Sequence, residues 1–168
     1  MTDATPEPDL PAIDPEAYND FVTRADLAGI VVTNIAASRT DPADPVRFAL
    51  HAQTRVAPGL TSVDYQVVLG VQMVAEDDAP VAQIETTFVA QFTIADGHPV
   101  PENVFHGFSG EVIKMVWPYG RQGLQDLASR LGFPGLALGL LKQAPDGSKP
   151  SLDVKITMGP MPEPRPIS

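Results

Sequence analysis

The chain has 168 residues, 43% of them hydrophobic, which suits one domain with tails and a sizeable core. A formal charge of −10 excludes a basic face for nucleic-acid phosphates and opposes docking on anionic lipid, leaving a basic or neutral polypeptide as the easier partner. Cysteine is absent, so there is neither a disulfide framework nor a thiolate metal site, which is compatible with a reducing cytosol.

The start, "MTDATPEPDLPAIDPE", is acidic and proline-rich, the opposite of a positively charged region followed by an apolar one. No apolar run reaches the roughly 18 residues of a membrane span, so no membrane insertion is expected and the cytoplasm is the expected location. Residues 1–14 carry Asp3, Glu7, Asp9 and Asp14 with no balancing base, and are expected to form a disordered lead.

Asp14-Pro15 reads as an N-cap followed by a first-turn proline. Tyr18, Phe21, Val22 and Ala25 then recur at helical spacing, predicting a helix over 15–28 that Gly29 can stop. Strand-like runs follow. Residues 29–38 are rich in β-branched side chains. In 47–56, Phe48, Leu50, Thr54 and Val56 lie on one side and His51, Gln53 and Arg55 on the other. In 63–75, Val63, Tyr65, Val67, Leu69, Val71 and Met73 share a face, as do Ala82, Ile84, Thr86, Phe88, Ala90, Phe92 and Ile94 in 81–94.

"EDDAP" (76–80) reads as a hairpin turn, whereas "RTDPADPV" between the first two strands is long and twice broken by proline, favouring a crossover. The period then turns helical at Val112, Met115, Val116 and Tyr119, continuing through Leu124, Leu127, Ala128 and Leu131. Pro118 is expected to kink or interrupt this helix and Gly132 to cap it. Strands followed by a helix predict an α+β fold, an antiparallel sheet with helices on one face. Residues 142–168 form a proline-rich tail in which 151–158, "SLDVKITM", alternates as an edge strand would, or as a segment that pairs with a partner.

Chemistry is hard to find. His51, His98 and His106 lack the i, i+4 spacing of a helical zinc pair, and no metal or cofactor is expected. "GFSGE" (107–111) has Glu111 where a nucleophile elbow needs glycine. "GFPGLALG" (132–139) lacks the lysine-serine pair of a phosphate loop. No catalytic residue can be named, and an enzyme is not expected.

One stretch is distinctive. "WPYGRQGLQDLASRLGFPGLAL", with Trp117, Pro118, Tyr119, Arg121, Phe133, Pro134, Leu136 and Leu138, resembles the signature of the SecB family of tetrameric export chaperones. "DYQVVLGVQM" resembles that family's Tyr-Glu-Val-Val-Leu-x-Val strand and "IETTFVAQFTI" its fourth strand, and the likeness covers roughly residues 28 to 141. Gly120 and Gln122 replace the usual alanine and glutamate, and "KQAPDGSKP" stands where the family continues into a long C-terminal helix. These departures look more like the solitary SecB-like chaperones found with some toxin–antitoxin systems.

The resemblance implies a SecB-like four-stranded sheet with a crossover over residues 15–141, assembled as a dimer of dimers. It implies a holdase without nucleotide that binds non-native client polypeptides in apolar grooves, for export or to protect an antitoxin. Client-binding residues on this reading are Phe48, Leu50, Val56, Leu60, Trp117, Phe133, Leu136, Leu138 and Leu140. Contacts between copies would fall at Ile84, Phe88, Val112, Val116, Tyr119 and Leu127. The acid that helps the family bind the motor SecA matches Glu85, while its first-strand acids fall at the uncharged Asn34 and Ser38. From the residues alone, two other readings stand beside it: Phe133, Leu136, Leu138 and Leu140 simply plug the core, or the chain is a dedicated adaptor that binds one partner by sheet-edge or tail pairing.

Overall fold

The fold is built on two strands whose alternation is complete. In the computed structural model, which describes residues 12–134, 136 and 152–158, β3 (Ser62–Val74) and β4 (Pro80–Ile94) pair antiparallel. All the apolar positions of one face, Val63 to Met73 and Ala82 to Ile94, are buried. The "EDDAP" turn joins them, with Asp78 in the left-handed region at φ 65°. β2 (Arg47–Pro58) continues the antiparallel ladder on the far side of β3, and β1 (Ala25–Arg39) pairs with β4. The sheet order is β1-β4-β3-β2-β5, where β5 (Leu152–Met158) runs parallel to β2 along its outer edge.

That order needs the crossover expected between the first two strands. Beyond Arg39 the chain passes the β3–β4 hairpin: the Thr40 amide donates to the Val81 carbonyl (2.8 Å) and the Val46 amide to the Val74 carbonyl (2.9 Å). Arg39 holds the crossing in place. Its guanidinium donates to the carbonyls of Asp41, Pro42 and Ala43, and to that of Leu131 on the other side, while standing 4.5 Å over the Phe133 ring. The stacking adds a cation–π attraction to four charge-assisted bonds.

Helix α1 (Pro15–Arg24) starts as expected, with the Asp14 carboxylate accepting from the Glu16 amide at 3.1 Å. It ends four residues earlier than the spacing predicts, because Ala25 already pairs with Ile94 and the β-branched run that follows favours the ladder. Gly29 therefore lies inside β1 and does not stop the helix. Helix α2 (Glu102–Arg130) begins ten residues before Val112 and takes in "GFSGE". Ser109, the serine of that stretch, is buried and donates to the Phe105 carbonyl at 3.4 Å. The helix runs through Pro118 without interruption. The carbonyl that Pro118 deprives of a partner belongs to Lys114, and both residues are exposed, so water can take the missing donor's place. At the C-terminus Gly132 adopts φ 93°, with the Gly132 amide on the Ser129 carbonyl and the Phe133 amide on that of Ala128, a Schellman cap.

Both helices pack on the same face of the sheet. Phe21 of α1 lies edge-on to Phe105 and Phe108 of α2 at 5.4 and 5.2 Å, and Phe108 reaches Phe92 at 5.5 Å and Tyr65 at 6.0 Å. The Tyr65 hydroxyl donates to the Phe105 carbonyl at 3.1 Å, and burial, aided by the nearby Tyr18, raises its pKa so that the phenol stays a donor. Farther along, Gly120 allows close contact: a Cβ there would collide with Leu69 Cδ1.

The Thr86 hydroxyl, buried beneath α2, has no hydrogen-bond partner among the described residues. An orphaned buried hydroxyl costs about 1–3 kcal/mol, so Thr86→Val, which keeps the shape, is expected to raise stability by about 1 kcal/mol in urea unfolding. A loss of stability would mean that the hydroxyl is satisfied after all.

Candidate functional site

The surface of interest comes from the way β1 is phased. Two register shifts interrupt it, between Leu27 and Gly29 and between Val32 and Asn34. Each bulge swaps which residues face the helices. As a result Leu27, Ile30, Val32 and Ile35 stand opposite Phe92, Ala90, Phe88 and Thr86, all on the helix side.

Their partners on β4 are buried, but Leu27, Val32 and Ile35 are exposed, Ile35 by 59%. Val31, on the opposite face, is exposed as well. From Leu27 to Ser38 the strand has no charged residue and no proline. It also stands at the end of the sheet order, so its outer edge is unpaired among the described residues. Natural edge strands usually carry charges, prolines or a cover against unwanted pairing. Between Leu27 and Ser38, β1 has only its bulges among the described residues.

A second apolar area lies where α2 ends. Arg39, Ala82, Met73 and Phe48 follow one another across the sheet at this end, and Arg39 touches Leu131 and Phe133. Val46 and Phe48 are exposed there, and Leu50 is half-buried. Leu60 is exposed at the other end, and Met115 and Tyr119 on the open flank of α2.

The residues singled out in the sequence are thus separated. Phe48 and Leu60 are open to solvent. Val56, Trp117, Phe133 and Leu136 are buried in the core of the described residues. For Phe133 and Leu136, plugging the core is what the structure shows. Leu138 and Leu140 lie outside the described residues, as do 1–11 of the lead and most of 142–168. Ile84, Phe88, Val112 and Val116, expected between copies, are instead buried between α2 and the sheet of a single chain. Only Tyr119 is exposed in that set, and Leu127 is half-buried.

Glu85 lies on the helix-free face, where Gln83 Nε2 donates to it at 3.1 Å, and its β1 neighbours Asn34, Ala36 and Ser38 are uncharged. Val68, Val74 and Val89 are half-buried on that same face, whereas Val81 is buried beside the crossing. Among the described residues no three His, Asp or Glu side chains converge as metal ligands would, and no helix is long and apolar enough to cross a membrane.

At β1 the strand itself was expected, over 29–38, but its exposed apolar edge was the feature that sequence reasoning missed. Its signal was a twelve-residue uncharged run, 27–38, but alternation fails at the bulges and so showed no face.

Four antiparallel strands with a crossover and helices on one face form the α+β layer that the resemblance implies. No family model matches the sequence, and no curated protein does. Among solved structures, the chain is similar to the SecB-like chaperone Rv1957 of Mycobacterium tuberculosis, in complex with a ChAD peptide from the Rv1956 HigA1 antitoxin. The TM-score is 0.66 at 19% identity, covering 76% of this chain and 97% of that one. The likeness establishes the SecB-like fold.

Proposed function

We propose that this protein is a holdase chaperone that works without nucleotide in the cytoplasm, assembling as a homotetramer and binding non-native polypeptides on its apolar rims. The observation that carries the reading is β1: from Leu27 to Ser38 an uncharged run with apolar side chains exposed on both faces, at the edge of the sheet among the described residues. In this scheme two copies pair along β1, and two such dimers bring their helix-bearing faces together. Clients then lie along the rims marked by Phe48 and Leu60.

Weak individual contacts follow from the energetics. Burying apolar area yields about 25 cal/mol per Å², and ordering a client residue costs roughly 1–2 kcal/mol. A residue therefore breaks even only on burying roughly 40–80 Å² of apolar surface. Retention comes from one client touching several rims of one assembly, and release needs no nucleotide.

The client class is an antitoxin or an export substrate; the first is favoured by the fold neighbour, which holds an antitoxin peptide. Docking on SecA is the less supported arm, with Glu85 facing uncharged β1 positions. The same neighbour favours, as a second reading, a dedicated adaptor for one partner.

The test is suppression of aggregation of a denatured model protein, with and without ATP, alongside light scattering. Full suppression without ATP and a mass near four chains are expected. A monomer at micromolar concentration that leaves aggregation unchanged refutes the reading. An adaptor would hold one partner and leave the model protein to aggregate.

A further inference from the structure

The rim assigned to clients runs along β2 from Phe48 to Leu60, and the chain already occupies its middle. β5 pairs there with Leu50 to Val56. It therefore lies between two exposed residues, Phe48 before the pairing starts and Leu60 after it ends. We propose that β5 is an internal competitor: the chain's own tail strand holds the β2 edge closed, and an extended client segment displaces it to bind. The proposal rests on the chaperone reading above and adds a control to it.

The pairing is of a kind that can open. It is the only parallel pair among the described strands, and parallel pairing is slightly less stable per residue than antiparallel. It also cannot lengthen far. Pro150 precedes the strand and Pro160 follows it, and proline brings no amide to a ladder. The contact is thus limited to seven residues, about 23 Å of edge.

The register shows what β5 imitates. Leu152, Val154, Ile156 and Met158 stand opposite Leu50, Ala52, Thr54 and Val56, the helix-side positions of β2. Asp153 and Lys155 stand opposite His51 and Gln53 on the other side, and their charges cancel. Apolar at every second residue and neutral as a whole, the strand has the pattern of a segment that adds to a sheet edge.

Attachment supplies what the short ladder lacks. Because β5 is part of the chain, its return to the edge is intramolecular, at an effective concentration on the order of millimolar. An edge open about one-tenth of the time lowers the apparent affinity for a client about tenfold. A strand that only guards the edge against unwanted pairing would instead be needed for the fold itself.

The experiment uses the full chain. It has no cysteine of its own, so Gln53→Cys with Lys155→Cys offers a single lock across the β2–β5 seam. Adjacent strands lie about 4.8 Å apart, within the span of a disulfide. The oxidised variant is expected to bind a labelled, reduced and alkylated model protein about tenfold more weakly than the same variant after reduction. A second variant, Val154→Asp with Ile156→Asp, puts two acids opposite Ala52 and Thr54, both buried. It should bind about tenfold more tightly than the wild type, with Trp117 emission unchanged. A free peptide of residues 151–158 at about millimolar concentration should cancel that gain.

Equal binding by the locked and reduced forms overturns the proposal, and so does a lock that fails to form. An acid variant that unfolds in about 1 M less urea and binds no more tightly makes β5 a structural strand, which also overturns it. If no form binds the model protein or suppresses aggregation, the chaperone reading fails, and the labelled tail peptide decides β5 separately. Binding to the acid variant but not to the wild type keeps β5 as a displaceable strand. Binding to neither overturns that too.

Discussion

Phe108→Ala is expected to lower stability by about 3–5 kcal/mol, the range for removing a buried aromatic ring. Phe108 connects four elements. It lies 5.2 Å from Phe21 of α1, 5.5 Å from Phe92 of β4 and 6.0 Å from Tyr65 of β3, while belonging to α2. Edge-to-face pairs of this kind add about 0.5–1.5 kcal/mol each beyond buried area. The cavity left behind cannot collapse easily, because the sheet side is fixed by the ladder and the helix side by α2's packing against it.

A domain of this size has only about 5–15 kcal/mol of stability, so the substitution should shift a urea midpoint by roughly 1.5–2.5 M at an m-value of about 2 kcal/mol per M. Trp117 is the sole tryptophan and is buried, which makes its emission a direct probe. Phe108→Leu, which keeps most of the volume, should recover more than half of the loss. Equal effects of the two variants would show that the aromatic contacts, and not the space they fill, hold α1 to the sheet. No shift in either would mean that the cluster does not form. All comparisons belong at one protein concentration, since assembly also stabilises the folded chain.

Much of the fold was legible because period two is unambiguous when one sheet face is buried. The helix-side residues of β3 and β4 could be named in full, and so could Gly132 as the cap, since few residues other than glycine take φ near 93° comfortably. The crossover was legible from length and proline content. β1 was expected as a strand, but which of its faces is open was not legible, because its bulges break the alternation that would have marked one. The onset of α2 was masked by Gly107 and Gly110, although Val104, Phe105, Phe108 and Val112 repeat at helical spacing.

The interface residues fail for a deeper reason. Periodic apolar residues tell that a face is covered, never by what. Ile84, Phe88, Val112 and Val116 are covered by the chain itself, while the surface left uncovered among the described residues is the one whose pattern was irregular. The same holds for Phe133 and Leu136, where the leucine-rich motif closes the core against Arg39 and the end of α2.

The second large effect is expected at that irregular strand. Val32→Lys combined with Ile35→Lys places two cations on the helix-side surface of β1, where the wild-type side chains are 48% and 59% exposed. Exposed substitutions of this kind change the folding free energy by roughly 0.5 kcal/mol or less, so the isolated chain should fold. Pairing is a different matter. When two edges meet in antiparallel fashion the added charges face their own copies, and like charges directly opposite are destabilising.

The scattering mass should then fall below that of the wild type, and aggregation suppression should drop by at least about tenfold, because one client can no longer touch several rims at once. Phe48→Asp supplies the contrast: it lies on the opposite side of the sheet from β1, so the mass should hold while suppression falls. If the double lysine variant keeps the wild-type mass and full activity, β1 is not the seam between copies. Loss of mass in the Phe48 variant would instead move the seam to the rim where α2 ends.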